Sequence, residues 1–205
     1  MSTKKSHISS VVPTTKRLEA LTDGIYAIAL TLLVLNIVIP GPPSNLTSKE
    51  LSQHLLSQWP VFWHYILSFV ILASYWTIHH TQFHYIKRVN RRLLWINFIW
   101  LMFVVLFPFS TSLIADYGDY TSAAVFFHCN MFLTGLMAYR NWSYATKYHR
   151  FVEPDLDDEK IRMGKIRSLV TPAISLLAIA VSFFNPRLST IPYIFIPVLI
   201  GYLNR

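Results

Sequence analysis

Three groups of side chains have the types and spacing that chemistry needs. The first is Arg17-Leu18-Glu19-Ala20-Leu21-Thr22-Asp23-Gly24, which sets three charges and a hydroxyl ahead of a run that stays apolar until Asn36. A carboxylate at the head of such a run either meets a cation directly or is held by donors from neighbouring helices, because a bare charge inside a membrane costs about 2.5 kcal/mol or more. The second is His79-His80-x-x-x-His84, in which His80 and His84 have the i, i+4 spacing that zinc sites use on one helix face. No glutamate follows the first histidine, so the metalloprotease pattern is absent, and amphipathic His and Tyr packing at a membrane interface explains the run without a metal. The third is the acidic run from Glu153 to Glu159, followed by Lys160, Arg162, Lys165 and Arg167. It lacks the glycine and terminal glutamate of a calcium loop and reads as a solvated helix start, with acids at the positive end of the dipole. No Walker, Ser-His-Asp or Gly-rich dinucleotide motif is present, so neither enzymatic activity nor a cofactor or metal is expected.

The elements that position these groups follow from composition. Of the 205 residues 53% are hydrophobic, 15% aromatic and 14% charged, against roughly 25% charged in an average soluble domain. Apolar runs occupy about 18–39, 60–85, 93–115, 122–145, 168–185 and 190–204, separated by Pro40–Asn45, Lys87–Arg92, the turn around Asp116, a charged loop after Arg140, and Asn185. The fold class predicted is an all-α polytopic membrane protein, one six-helix domain over residues 1–205. The last run is the weakest: about 15 residues rise roughly 23 Å, less than a ~30 Å hydrocarbon core, and it carries Pro192 and Pro197. The single cysteine, Cys129, excludes an intrachain disulfide, and the long first run lacks the small-residue cleavage site of a signal peptide.

A net charge of +8 would suggest nucleic acid in a soluble chain. Placing loops on alternate sides of a membrane explains it differently. Sixteen of the 18 Lys and Arg residues fall on one side and only Lys49 and Arg187 on the other, which predicts cytoplasmic termini and no nucleic-acid partner. The basic loop after Arg140 would attract anionic lipid. Trp59, Trp63, Trp76, Trp95, Trp100 and Trp142 lie mostly near run ends, as an interfacial belt requires. Antiparallel threading brings Trp76, His79 and His80 of the second helix and Asn97 of the third to the depth of Asp23. These are its candidate partners, in a polar knot or around an ion.

These residues also carry a resemblance. Arg17, Leu21, Thr22 and Asp23 resemble the Arg-x-x-x-Phe-Ser-Asp signature that heads the first of six helices in the transmembrane protein 175 family, lysosomal-type potassium channels and their bacterial homologues. Arg17 and Asp23 match, Leu21 stands where Phe is usual, and Thr22 replaces Ser conservatively. The following stretch from Ile25 to Leu35 is similar to that family's first helix, and the six-run plan extends the likeness over most of the chain. The resemblance implies passive, potassium-selective conduction in a bacterial inner membrane, with K+ as permeant ion. It also implies a homotetramer, since single-unit members form tetramers while animal members carry two units and dimerise. The signature occurs once here, so a pore would have to be built between chains.

On a helical wheel Leu21, Ile28, Leu32, Leu35 and Ile39 share one stripe, and Asp23 lies about 140° from Ile28. The two cannot face one axis. From the residues alone the stripe faces lipid or copies of itself. The resemblance implies the latter, with Ile28, Leu32 and Leu35 forming a hydrophobic constriction that gates by dewetting. It also implies that Thr31, about 60° from Ile28, supports selectivity; the alternative is a hydroxyl bonded back to the Ala27 carbonyl. Arg17, Thr22 and Asp23 would then anchor the first helix to the second and third. No Thr-Val-Gly-Tyr-Gly filter and no arginine ladder are present, and Gly201-Tyr202 is isolated. A small secondary transporter would instead use His64, His128 and the proline-interrupted last run; a non-conducting scaffold would use none of these.

Overall fold

The computed structural model describes residues 14–37 and 47–203. Lys4, Lys5, Ile39, the Pro40–Asn45 break and Arg205 lie outside the described residues. Among the described residues five stretches are long and apolar enough to cross a membrane: Thr15–Asn36, Trp59–Tyr85, Arg91–Tyr117, Thr121–His149 and Asp158–Ser182.

Helix α1 (Thr15–Leu33) runs into a 3-10 turn, Val34–Asn36. It buries Leu18, Thr22, Tyr26, Ala29 and Leu33, spaced by three and four residues, so it adheres along one stripe only. Helix α2 (Ser48–Ser57) was not predicted. Its start is a capping box: the Thr47 N–H donates to the Glu50 carboxylate at 2.8 Å and the Glu50 N–H returns to the Thr47 hydroxyl. The Thr47 N–H also holds the Glu50 carboxyl below its ordinary range.

Helix α3 (Trp59–Tyr85) matches the second predicted run closely. The third run is broken into α4 (Arg91–Val105) and α5 (Phe107–Tyr117) at Leu106. Pro108 explains the break, since its ring has no N–H to donate and crowds the carbonyl four residues back. Asn36 donates to the Pro108 carbonyl at 2.8 Å and ties the end of α1 to the bend.

Helix α6 (Thr121–Thr146) packs along α7 (Asp158–Ser182). α7 starts well ahead of the expected residue 168, because the acidic run is its first turn: Asp157 caps it by accepting from the Glu159 N–H at 3.0 Å. The α6–α7 contact uses small residues, as membrane helices do where backbones approach closely. A methyl added at Gly135 would lie 2.5 Å from Pro172 Cδ and 2.9 Å from the Tyr75 hydroxyl.

The sixth run differs from a single helix over 190–204. It is a 3-10 turn, Ile191–Ile194, followed by the short helix α8 (Phe195–Tyr202), with Pro192 in the turn and Pro197 in the first turn of α8. The segment nevertheless retraces α7. The Arg167 guanidinium donates to the Leu203 carbonyl at 2.5 and 3.1 Å, and Arg167 lies roughly 23 Å of helix rise before Ser182.

One apolar core fills the spanning part, and a second closes the end that carries Leu18, Phe83, Leu93, Phe151 and Ile161. There the α6–α7 connection docks on the α3–α4 connection: the Lys87 N–H donates to the Phe151 carbonyl at 2.8 Å and Lys87 pairs with Glu153 at 3.1 Å. Trp100 and Trp142 are buried rather than interfacial. Position near a run end does not fix which face a tryptophan takes. At the opposite end Arg187 pairs with Asp119, one hydrogen bond measuring 2.6 Å, and holds that carboxyl below its ordinary range.

Gly135→Val is expected to lower stability by about 1–3 kcal/mol through overpacking, read by thermal unfolding in detergent. Gly201→Ala, where an added methyl meets nothing within 4 Å, serves as the matched control and should melt close to the unmodified protein.

Candidate functional site

Two sites lie on α1, one behind it and one on its exposed side. Behind it, the Trp76 indole donates to an Asp23 carboxylate oxygen at 2.9 Å, and Trp76 stacks on His80 with centroids 5.4 Å apart. Residues 76 and 80 are one turn apart on α3, so one face presents both rings to α1. A turn inward, the Asn97 amide meets His79 Nε2 at 2.9 Å, joining α4 to α3. His79 is stacked on Phe83 at 4.2 Å and flanked by Trp100 at 5.0 Å and Tyr26 at 6.4 Å.

The structure therefore brings Asp23 to Trp76 and, through stacking, to His80, while His79 and Asn97 pair with each other. Thr22 is fully buried beside them. Arg17 and Leu21 are exposed and stand outside the knot. Sequence reasoning missed Tyr26 and Trp100, both buried in this cluster. The clue for Tyr26 was its place four residues beyond Thr22, on the same helix face. Thr22 Oγ1, Tyr26 Oη, Asn97 Oδ1 and Trp100 Nε1 have no hydrogen-bond partner among the described residues, which makes this the most polar part of the α1 contact.

On the other side of α1 the predicted stripe is open. Ile28, Leu32 and Leu35 are 61%, 40% and 67% exposed in the protomer. Ile25, Ile28, Ala29 and Leu32 border a shallow apolar hollow of about 120 Å³ against Val105 of α4. Thr31 is exposed, and its hydroxyl donates to the Ile28 carbonyl at 2.8 Å, three residues back rather than to Ala27 four back. The back-bond uses the hydroxyl's one donor. Its oxygen keeps lone pairs that can accept a hydrogen bond or meet a cation.

Two further polar seams lie away from α1. Gln82 donates to the Ala138 carbonyl at 3.1 Å and to Ser168 at 3.2 Å, and accepts from Asn141 at 2.9 Å. Amides inside apolar runs were the available sign. His128 has both ring nitrogens engaged, with the Tyr193 hydroxyl at 3.0 Å and Ser189 at 2.9 Å, and His64 bonds the Pro60 carbonyl at 2.7 Å. Both histidines that a transporter reading would need are thus bound within the protein. Among the described residues no three His, Cys, Asp or Glu side chains group closely enough to hold a metal.

Asp23→Ala and Trp76→Phe are each expected to destabilise the protein. In the double variant the losses should fall short of additivity by about 0.6 kcal/mol, the typical worth of an interhelical hydrogen bond in a membrane protein. A thermal-unfolding double-mutant cycle measures it, and strictly additive losses would remove the contact.

Residues 17–108 match the family described as endosomal/lysosomal potassium channel TMEM175, a segment that starts at the signature arginine and contains every residue of the knot. A potassium channel of Streptomyces collinus is 33% identical over 159 residues, 74% of this chain and 74% of that one. A potassium channel of Chamaesiphon minutus is 32% identical over 178 residues, 85% of this chain and 87% of that one. The crystal structure of a lysosomal potassium-selective channel TMEM175 homolog from Chamaesiphon minutus superposes with a TM-score of 0.78 at 29% identity, covering 93% of this chain and 96% of that chain. With two relatives matched over most of their length and the fold shared end to end, this chain belongs to the TMEM175 family.

Proposed function

We propose that the protein is a potassium-selective cation channel of a bacterial inner membrane, a homotetramer with cytoplasmic termini whose four α1 helices surround a central pore. Ile28, Leu32 and Leu35 form its constriction, and Thr31 supports selectivity. The observation that carries this reading is the two-sidedness of α1. One stripe is buried against the protomer, while the opposite side exposes Ile28, Leu32 and Leu35 together with Thr31. The Thr31 oxygen can still accept a hydrogen bond from a neighbouring helix, which lipid does not offer. A ring of identical helices supplies the closed symmetry that a central pore needs.

Conduction through such a neck is passive. A narrow ring of Ile and Leu offers an ion no replacement for its hydration shell, so it blocks when dry and conducts when widened enough to stay wet. The channel needs no cofactor and performs no covalent chemistry, in keeping with relatives that are channels. The return of Leu203 to the level of Arg167 supports an even number of crossings and termini on one side. Arg187 is partnered by Asp119, which leaves Lys49 as the other base on the sparsely charged side and sharpens the cytoplasmic bias.

In liposomes with a potassium gradient and a proton ionophore, the folded protein should give fast flux reversing at the potassium equilibrium potential. Folded tetramers without potassium flux would overturn the channel reading, and flux that saturates and couples to another ion would point to a transporter.

Ile28→Asn should hydrate the neck and raise current severalfold, and unchanged current would move the gate elsewhere. Thr31→Val should lower the potassium-to-sodium permeability ratio measured from reversal potentials, and an unaltered ratio would remove Thr31 from selectivity.

A further inference from the structure

Helices α3, α7 and α8 enclose an open cleft of about 520 Å³ that shares no residue with either site on α1. One wall is α3, where Ser74, Thr77 and Thr81 lie on one face at i, i+3 and i+7. Each hydroxyl donates to the carbonyl four residues back, at 2.8 to 3.0 Å. The helix thereby meets its own polar demand, and this wall presents methyl, methylene and hydroxyl oxygen.

The facing wall is α7, where Lys160, Gly164 and Arg167 repeat at i, i+4 and i+7. Gly164 packs directly on the Trp142 indole, which makes a flat floor between the two cations. Lys160 is exposed, with its ammonium 6.0 Å from the Tyr85 ring centroid. Arg167 is half-buried and donates to the Leu203 carbonyl through Nε and Nη2, and among the described residues its Nη1 donors are uncommitted and its charge faces no carboxylate. Among the described residues the one acid lining the cleft, Glu159, is taken up by Arg162 in two hydrogen bonds of 2.8 and 3.0 Å.

The cleft is graded along the membrane normal. Gln82 bonds Ser168, so Arg167 sits at the depth of Gln82. Lys160 and Tyr85 mark the mouth, and from Tyr85 to Ser74 the wall descends roughly 16 Å at 1.5 Å per residue. Ile78, Ile200 and Gly201 line the deeper part. Two cations at a membrane surface above an apolar trough complement an anionic head on a hydrocarbon chain.

We propose that this cleft is a binding site for an anionic phospholipid of the cytosolic leaflet, with its phosphate between Lys160 and Arg167 and one acyl chain along Ile78, Ile200 and Gly201. The leaflet assignment rests on the topology given under the proposed function. The binding itself does not depend on conduction, so lipid retention and potassium flux can fail separately.

The full chain is extracted in detergent, exposed to equal amounts of phosphatidylglycerol and phosphatidylcholine, and the retained lipid is counted by native mass spectrometry. Phosphatidylglycerol should be retained in preference, and Lys160→Gln should reduce that retention about fivefold, the worth of one cation near an anionic lipid surface. Gly201→Phe, which fills the trough from a position with open space around it, should abolish retention while melting like the unmodified protein. Equal retention of the two lipids overturns the proposal, as it would if a neighbouring subunit filled the cleft. So does a well-folded Gly201→Phe protein that holds as much phosphatidylglycerol as before.

Discussion

Every other spanning segment of this protein is hydrogen-bonded to α3. In lipid a buried leucine gains little over an exposed one, so helices are held by close packing and by the polar groups they satisfy for each other. From one end of α3 to the other, Trp63 reaches Thr190, Ser68 accepts from Thr111 of α5, Tyr75 donates to the Met131 carbonyl of α6, Trp76 holds Asp23 of α1, His79 meets Asn97 of α4, and Gln82 engages Asn141 of α6 and Ser168 of α7. These contacts are spread over the whole depth of the bilayer. They fix register as well as association, because sliding any neighbour by a turn would leave a polar pair unmet in hydrocarbon.

Helix α1 is bound differently from the rest. Its hydrogen bonds to other elements among the described residues are Asp23 to Trp76, near its middle, and Asn36 of the following turn to the Pro108 carbonyl. Between them it adheres through Tyr26, Ala29 and Leu33, an apolar stripe with no directional contact beyond its own helix. A helix held by two such bonds and by van der Waals contact between them carries fewer directional restraints than its neighbours. That is what a neck of hydrophobic side chains requires, since its diameter changes with small rotations of the helices that carry it.

Much of this was legible in the sequence, and the exceptions have definite causes. Runs 60–85 and 122–145 needed only apolar length and came close to α3 and α6. The apolar run put the start of α7 at residue 168 because its first turns are charged and amphipathic, while the acidic run, read as a solvated helix start, marked the true beginning at Asp158. Helix α2 had a readable mark in Thr47-x-x-Glu50, and Pro108 marked the break within the third run. The partners of Asp23 came from depth alone, which is a one-dimensional argument. It placed Trp76, His79, His80 and Asn97 in the right layer. Depth could not decide that Trp76 reaches the carboxylate while Asn97 turns to His79, since that depends on the rotation of each helix about its axis. The seams of Gln82 with Asn141 and of His128 with Tyr193 involve separations of 59 and 65 residues, and only the tertiary structure pairs them.

The separation of about 140° between Asp23 and Ile28 on the wheel of α1 has a consequence for the division of labour. The residues that hold α1 to its own protomer and the residues that would meet other protomers lie on different faces, so they answer to different constraints. Thr22, Tyr26 and Leu33 are fitted to neighbours within the chain, and their substitution acts first on folding. Ile28, Leu32 and Leu35 touch little within the chain, and a change there leaves the protomer's buried contacts in place. In the proposed channel a single protomer would supply one wall of the neck. On the proposed reading, the width of such a neck, its wetting and the approach of Thr31 to its counterparts would be properties of the ring, set by the crossing angle of α1 in the assembly and constrained by its contacts at Asp23 and Asn36.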